Sequence, residues 1–147
     1  MTYLMRGEKP TSVTAVLQQY KPKIYPKVDD EATIIVTYPS AQCIIQASWN
    51  WPYGRKDMAV YGDSGYAITM DSKKMVAKSK KNAEEQLNLT PEQTGTYTSP
   101  FLYFADVIRG KLKPPAYSPY TLENNMIVVK ILDAARRSAA EGKTIKF

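Results

Sequence analysis

No histidine occurs in the 147 residues, and there is a single cysteine, Cys43. The first absence removes the commonest general base and the commonest metal ligand, so a histidine triad and a histidine-ligated zinc are both excluded. The second excludes an internal disulfide and a thiolate zinc site, and a lone thiol fits a reducing compartment. No run of eighteen apolar residues exists, so no membrane-spanning helix is predicted. The N-terminus lacks the basic, apolar and small-residue succession of a secretory signal, and a cytoplasmic protein is the expectation. There is no GxGxxG either, and so no dinucleotide cradle of the usual kind.

What is present is ordinary for a globular domain. Apolar residues make up 44% and charged residues 23%, enough for one domain with a real core. The net charge is +6, and lysines gather at Lys73, Lys74, Lys78, Lys80 and Lys81. That cluster reads either as a solvated hairpin and loop or, with Tyr66 and the tryptophans, as a polyanion-binding surface.

"TYLMRG" reads as the last turns of a helix with Gly7 as its stop, and no helix start precedes it. A chain that opens in this way is expected to be a piece of something longer. Residues 1–10 are accordingly read as the remnant of a preceding helix and a connector, and 11–147 as a single domain. Pro10 releases an alternating strand from Thr11 to Tyr20, with Val13, Ala15 and Leu17 on one face and Val16 on the other. The β-branched "TIIVTY" follows a Pro- and charge-rich connection. "AQCIIQASWNW" alternates, placing Ala41, Cys43, Ile45, Ala47 and Trp49 together and Gln42, Ile44 and Gln46 opposite. "GDSG" between two further runs is a tight hairpin turn. "KKMVAKS" reads as an edge strand blunted by lysines, and Asn82 to Thr98 as a polar loop with a helical turn at 83–87.

Two helices close the chain. Ser99 and Pro100 open the first, with Phe101, Phe104, Ala105 and Ile108 on its stripe and Gly110 as its stop. The second begins near Ser118-Pro119 and ends at Gly142. Leu122, Met126, Val129, Leu132 and Ala135 form its stripe, widened by Ile127, Ile131 and Ala134, and "KTIKF" is an extended tail. Strands in a run, then helices in a run, predict an α+β fold. The expected architecture is a mostly antiparallel open-faced sheet with the helices on one face. The other face carries Val16, Thr33, Ile35, Thr37, Gln42, Ile44 and Gln46. It is either a solvated surface with scattered apolar residues or a face for sheet-to-sheet dimerisation, the latter favoured by its apolar content.

The order of these signals resembles the C-terminal domain of the Gfo/Idh/MocA family of NAD(P)-dependent oxidoreductases. "GEKPTSVTA" resembles that domain's entry into its first strand. "VDDEATIIVTYPSAQCIIQASWNWP" resembles its acidic turn and two-strand hairpin, and "VYGDSGY" its glycine-flanked hairpin. The stretch from "SPFLYFADVIRGK" to "KTIKF" resembles its closing helices. The resemblance implies a substrate-binding and oligomerisation domain whose parent transfers hydride between NAD or NADP and a sugar or polyol hydroxyl. It implies a homo-oligomer and a carbohydrate substrate, with no nucleic-acid or membrane partner. The family's catalytic Glu-Lys-Pro follows a strand of the cofactor domain, whereas Lys9 sits in a connector after a helix end, so no catalytic residue and no metal ligand is assigned. The chain alone is not expected to be an enzyme or to hold a cofactor. A basic polyanion-binding module or a stand-alone dimeric scaffold is the alternative.

"SWNWPYGRK" is the densest candidate for contact with substrate. Trp49 and Trp51 offer flat faces that stack on sugar rings, and Asn50 donates and accepts hydrogen bonds. Arg55 and Lys56 suit a carboxylate, a phosphate or hydroxyls. The sequence leaves open that one or both tryptophans pack against the helices. Tyr97, beside the first helix start, is a second candidate lip. Asp29, Asp30 and Glu31 are read as a solvated strand entry, and Cys43 as a buried small apolar residue.

Overall fold

The computed structural model describes all residues except 72, 91, 92 and 94–98. The described strands are β1 (Ser12–Gln18), β2 (Glu31–Thr37), β3 (Gln42–Ser48), β4 (Met58–Gly62), β5 (Gly65–Thr69), β6 (Lys74–Ser79), β7 (Glu85–Asn88) and β8 (Ile145–Lys146). Helices described in full are α1 (Pro100–Ile108) and α2 (Leu122–Glu141). All pairing among the described residues is antiparallel, and the fold is α+β, as the order of the signals predicts. The strands do not form one sheet. They form two four-stranded sheets, ordered β3-β2-β1-β8 and β4-β5-β6-β7. The chain correspondingly falls into two compact units, Met1–Trp51 with Leu112–Phe147, and Pro52–Lys111.

In the first unit the alternation seen in the sequence becomes cross-strand rows. Val13 pairs with Val36, which pairs with Cys43. Ala15 pairs with Ile34, which pairs with Ile45. Val13 and Val36 are fully buried. Helix α2 lies against this face and closes it with Ile131 and with Ala134 and Ala135, two short side chains that let the helix come close. Each fully buried Val or Ile contributes about 1.5–3 kcal/mol, so this face is the main source of the unit's stability. The tail pairs as β8 with β1 and adds Ile145. Where that short edge strand ends, the Ala15 amide donates instead to Ser138 Oγ at 2.9 Å, and the same hydroxyl donates to the Lys143 carbonyl at 2.7 Å. A buried edge amide is thus satisfied by a helix side chain.

Several expectations are corrected here. The buried stripe of α2 runs through Asn124, Ile131, Ala134, Ala135 and Ser138, while Leu122, Met126, Val129 and Leu132 are exposed on the other side. The helix has two apolar stripes, and hydropathy alone does not say which one meets the sheet. The helix starts later than Ser118-Pro119. Ser118 closes a turn with the Tyr120 and Thr121 amides, and Thr121 becomes the N-cap, accepting from the Asn124 amide. Residues 2–7 form hydrogen-bonded turns rather than a regular helix end. Ala47 and Trp49 are exposed, because β3 ends at Ser48 and the chain turns away.

In the second unit the "GDSG" hairpin forms as expected, joining β4 and β5 through Asp63 and Ser64. Gly65 has φ +152°, and a Cβ there would lie 1.9 Å from the Lys78 carbonyl oxygen, so only glycine fits. Strand β6 is not an edge. Strand β7, inside the segment expected to be a loop with a helical turn, pairs with it from Lys74–Asn88 to Ala77–Glu85. Its sequence, EQLN, carries one apolar residue and so gave no strand signal. Helix α1 is capped by Ser99 with Pro100 in its first turn. Its buried residue is Tyr103, whereas Phe101, Phe104 and Ile108 of the expected stripe are exposed, Phe101 at 82%.

Candidate functional site

The segment 19–31 and the end of β3 meet in the first unit, and Asp30 organises them. This carboxylate, only 3% exposed, accepts from the Tyr20 amide at 2.9 Å, the Lys21 amide at 2.6 Å and Asn50 Nδ2 at 3.0 Å. Burial opposes ionisation, but the three donors and nearby Lys21 outweigh it and hold Asp30 below the usual carboxylate range. The Asp30 carbonyl accepts from the Trp49 amide at 2.9 Å and from Asn50 Nδ2 at 3.1 Å. Gln19 Nε2 donates to the carbonyls of Tyr25 and Val28, fixing the intervening turn.

Glu31 and Ser48, partners across β2 and β3, hydrogen-bond to each other, and Ser48 Oγ accepts from the Asn50 amide at 3.0 Å. Asn50 Nδ2 reaches Glu31 Oε2 at 3.2 Å, while its Oδ1 is buried with no partner among the described residues. Trp49 is held by this network and rests on Tyr25, with ring centroids 4.9 Å apart and planes at 59°. It is nevertheless 59% exposed. Trp49 lines a cavity of about 170 Å³ together with Asp29, Asp30, Glu31, Ala32, Ala47 and Ser48.

The candidates from "SWNWPYGRK" therefore part company. Trp49, Asn50 and half-buried Trp51 belong to the first unit, while Arg55 and Lys56 belong to the second. Asn50 is a structural tie as well as a surface group. Trp49 does not pack on a helix and keeps much of its ring in solvent. Arg55 forms a two-pronged pair with Asp57, at 2.6 and 2.9 Å. Its hydrogen bonding pushes the guanidinium above its usual range and holds Asp57 below the carboxylate range. An anion there would have to displace Asp57. Tyr97 lies outside the described residues. The sequence reading missed Asp30 as organiser and Tyr25 as the partner of Trp49. A run of three acidic residues gives no sign of which carboxylate turns inward to cap backbone amides.

The face of the first sheet opposite α2 holds all seven residues expected there. Val16 pairs with Thr33 and Thr33 with Gln46. Thr14 pairs with Ile35 and Ile35 with Ile44. Ser12 pairs with Thr37 and Thr37 with Gln42. The rows are contiguous, and Ile44, at 62%, and Val16 are exposed on them.

Residues 1–68 match the family model for the GFO/IDH/MocA C-terminal domain. Over those residues, a little under half of its length, the chain is similar to that family. Among solved structures, an oxidoreductase candidate from Thermotoga maritima superposes with TM-score 0.80 at 19% identity, covering 96% of this chain and 42% of that one. An oxidoreductase from Sinorhizobium meliloti superposes with TM-score 0.75 at 17% identity, covering 95% and 47%. An inositol dehydrogenase homologue from Azotobacter vinelandii, solved with NADH and myo-inositol, superposes with TM-score 0.66 at 11% identity, covering 95% and 45%. The chain thus spans less than half the length of these structures, and at such identities they establish its fold. A search of curated proteins returned no match.

Proposed function

We propose that this chain is the substrate-side and oligomerisation half of a Gfo/Idh/MocA-type oxidoreductase acting on a sugar or polyol in the cytoplasm. Supporting the redox assignment are the family match and the oxidoreductase neighbours. The residues here do not fit a dinucleotide. Among the described residues both sheets are antiparallel, and the sequence has no GxGxxG. Binding of NAD or NADP and the hydride step are therefore assigned outside these residues. No residue of this chain is given a catalytic role.

The observation that carries the oligomerisation role is the contiguous open face of the first sheet. Three strands present Val16, Ile35 and Ile44 among Thr and Gln, a mixed surface that buries well against a second copy of itself. A specific dimer hides about 800 Å² per partner, which a sheet face of this kind can supply. Light scattering after size exclusion tests the reading. The wild-type chain is expected to run as a dimer or larger, and Ile44→Lys to run as a monomer with its circular dichroism unchanged. A monomeric wild type at tens of micromolar overturns it. Titration with NADH is expected to show no binding to this chain, and measurable binding would overturn the division of labour.

A further inference from the structure

The cavity beside Trp49 has a chemical character that the oligomerisation reading does not use. One wall is an indole held in a fixed pose by Tyr25 and by the Trp49 amide's bond to Asp30, yet well exposed. The lining also includes Asp29, Asp30, Glu31 and Ser48, and no lysine or arginine is among the described residues that line it. Its volume of about 170 Å³ suits part of one six-membered ring. Ser48 and Asn50 already donate to Glu31 Oε2, which keeps that carboxylate from rotating away. A flat apolar surface beside carboxylate acceptors, one of them fixed, matches a ligand with one C–H face and several O–H donors.

We infer that this cavity binds an uncharged polyhydroxylated ring, stacked on Trp49 with hydroxyls donating to Asp29 and Glu31, and that it rejects anionic sugars. The inference rests on the sugar-oxidoreductase reading for its setting but adds a place and a charge selectivity. It also separates Trp49 from Arg55, the group that would suit an anion and that is occupied by Asp57. Two carboxylates beside the ring repel a uronate or sugar phosphate, because like charges a few ångströms apart at a protein surface cost far more than in bulk water.

The test is an NMR titration of the ¹⁵N-labelled chain, following the Trp49 indole N–H, which is assigned by its loss in Trp49→Ala. The probes are myo-inositol and glucose on one side and glucuronate and glucose 6-phosphate on the other. Neutral probes are expected to shift that resonance with roughly millimolar affinity, and anionic probes to bind roughly tenfold more weakly or worse. Trp49→Ala should weaken the neutral probes roughly tenfold, followed through neighbouring backbone amides. Glu31→Gln, which keeps the shape and one acceptor oxygen, should narrow the gap between neutral and anionic probes. Equal or tighter binding of the anionic probes overturns the charge selectivity. No response of the Trp49 resonance to any neutral probe overturns the site itself, while the oligomerisation reading stands or falls separately on the light-scattering result.

Discussion

The two sheets are built from similar antiparallel ladders and end up in different physical states. In the first, β1, β2 and β3 place Val13, Ile34, Val36 and Cys43 on one face, and α2 covers them. In the second, no residue of β4, β5, β6 or β7 is buried, although their backbone pairing is complete from Met58–Thr69 to Ala77–Glu85. Backbone pairing therefore shapes both units, but a dry apolar layer exists only where a helix with small residues lies across the strands. Net hydrogen-bond gains are modest beside apolar burial, so the first unit should be the more stable. Its amides in β1, β2 and α2 should exchange slowest, and those of the second sheet fastest.

Substitutions sharpen or break this contrast. The largest effect is expected from Ile131→Ala, which opens a cavity between α2 and the first sheet. It should lower stability by about 3 kcal/mol, against less than about 1 kcal/mol for Ile68→Ala in β5. Urea unfolding of both variants, with exchange read at β2 and β5 amides, checks it, and equal losses would remove the distinction. Ser138→Ala comes next, since it leaves the Ala15 amide and the Lys143 carbonyl without their shared partner. A loss of about 2 kcal/mol is expected in the same experiment. Thr69→Ala, which removes the hydroxyl accepting from the Met58 amide at an exposed position, should cost far less.

Tyr38→Phe is expected to act the other way. Tyr38 is buried in the first core, its hydroxyl has no partner among the described residues, and burial, then the charges of Cys43 and Glu8, push its pKa up. Removing that hydroxyl should raise the melting midpoint, with a gain of about 1 kcal/mol. A loss instead would mean that the oxygen is satisfied in solution. The smallest effect concerns pH. A carboxyl held below its ordinary value adds stability that is complete above 3.8 and lost as pH falls through the lower folded value. Asp30 and Asp71 both fit this description, Asp30 against the cost of its burial through Asn50 and then two backbone amides, and Asp71 through the Lys73 and Lys74 amides. Asp30→Asn should flatten the acid limb of the first unit's exchange. Asp71→Asn, at an exposed turn, should change the second unit's less.

Much of the candidate open face was legible because side-chain alternation is a local property. Once β1, β2 and β3 are strands, Val16, Ile35 and Ile44 must share a side, and the hairpins set their rows. The same holds for the caps at Ser99 and Gly142, since a short polar side chain before a helix, and a left-handed glycine after it, act on the adjacent turn alone. Strand β7 was illegible because its residues are polar and only the partner ladder of β6 makes them a strand. On α2 the expected Ile131, Ala134 and Ala135 are buried, but that Leu122, Met126, Val129 and Leu132 stay exposed was beyond the sequence. The sheet takes Ile131 together with Ala134 and Ala135, two small residues that allow close approach, and leaves Leu122, Met126 and Val129 exposed.

The sequence by itself determined the α+β class, the alternating faces of the first three strands and the absence of any histidine or thiolate-pair chemistry. These follow from composition and from periods of two and 3.6 residues, which need no knowledge of distant contacts. Only the tertiary structure decided that the strands divide into two sheets, that Asp30 turns inward to hold Asn50 and Trp49, and that Trp49 and Arg55 belong to different units. Those outcomes depend on which backbone groups meet across the fold and on which carboxylate finds enough donors to leave water, and neither quantity is local to the chain.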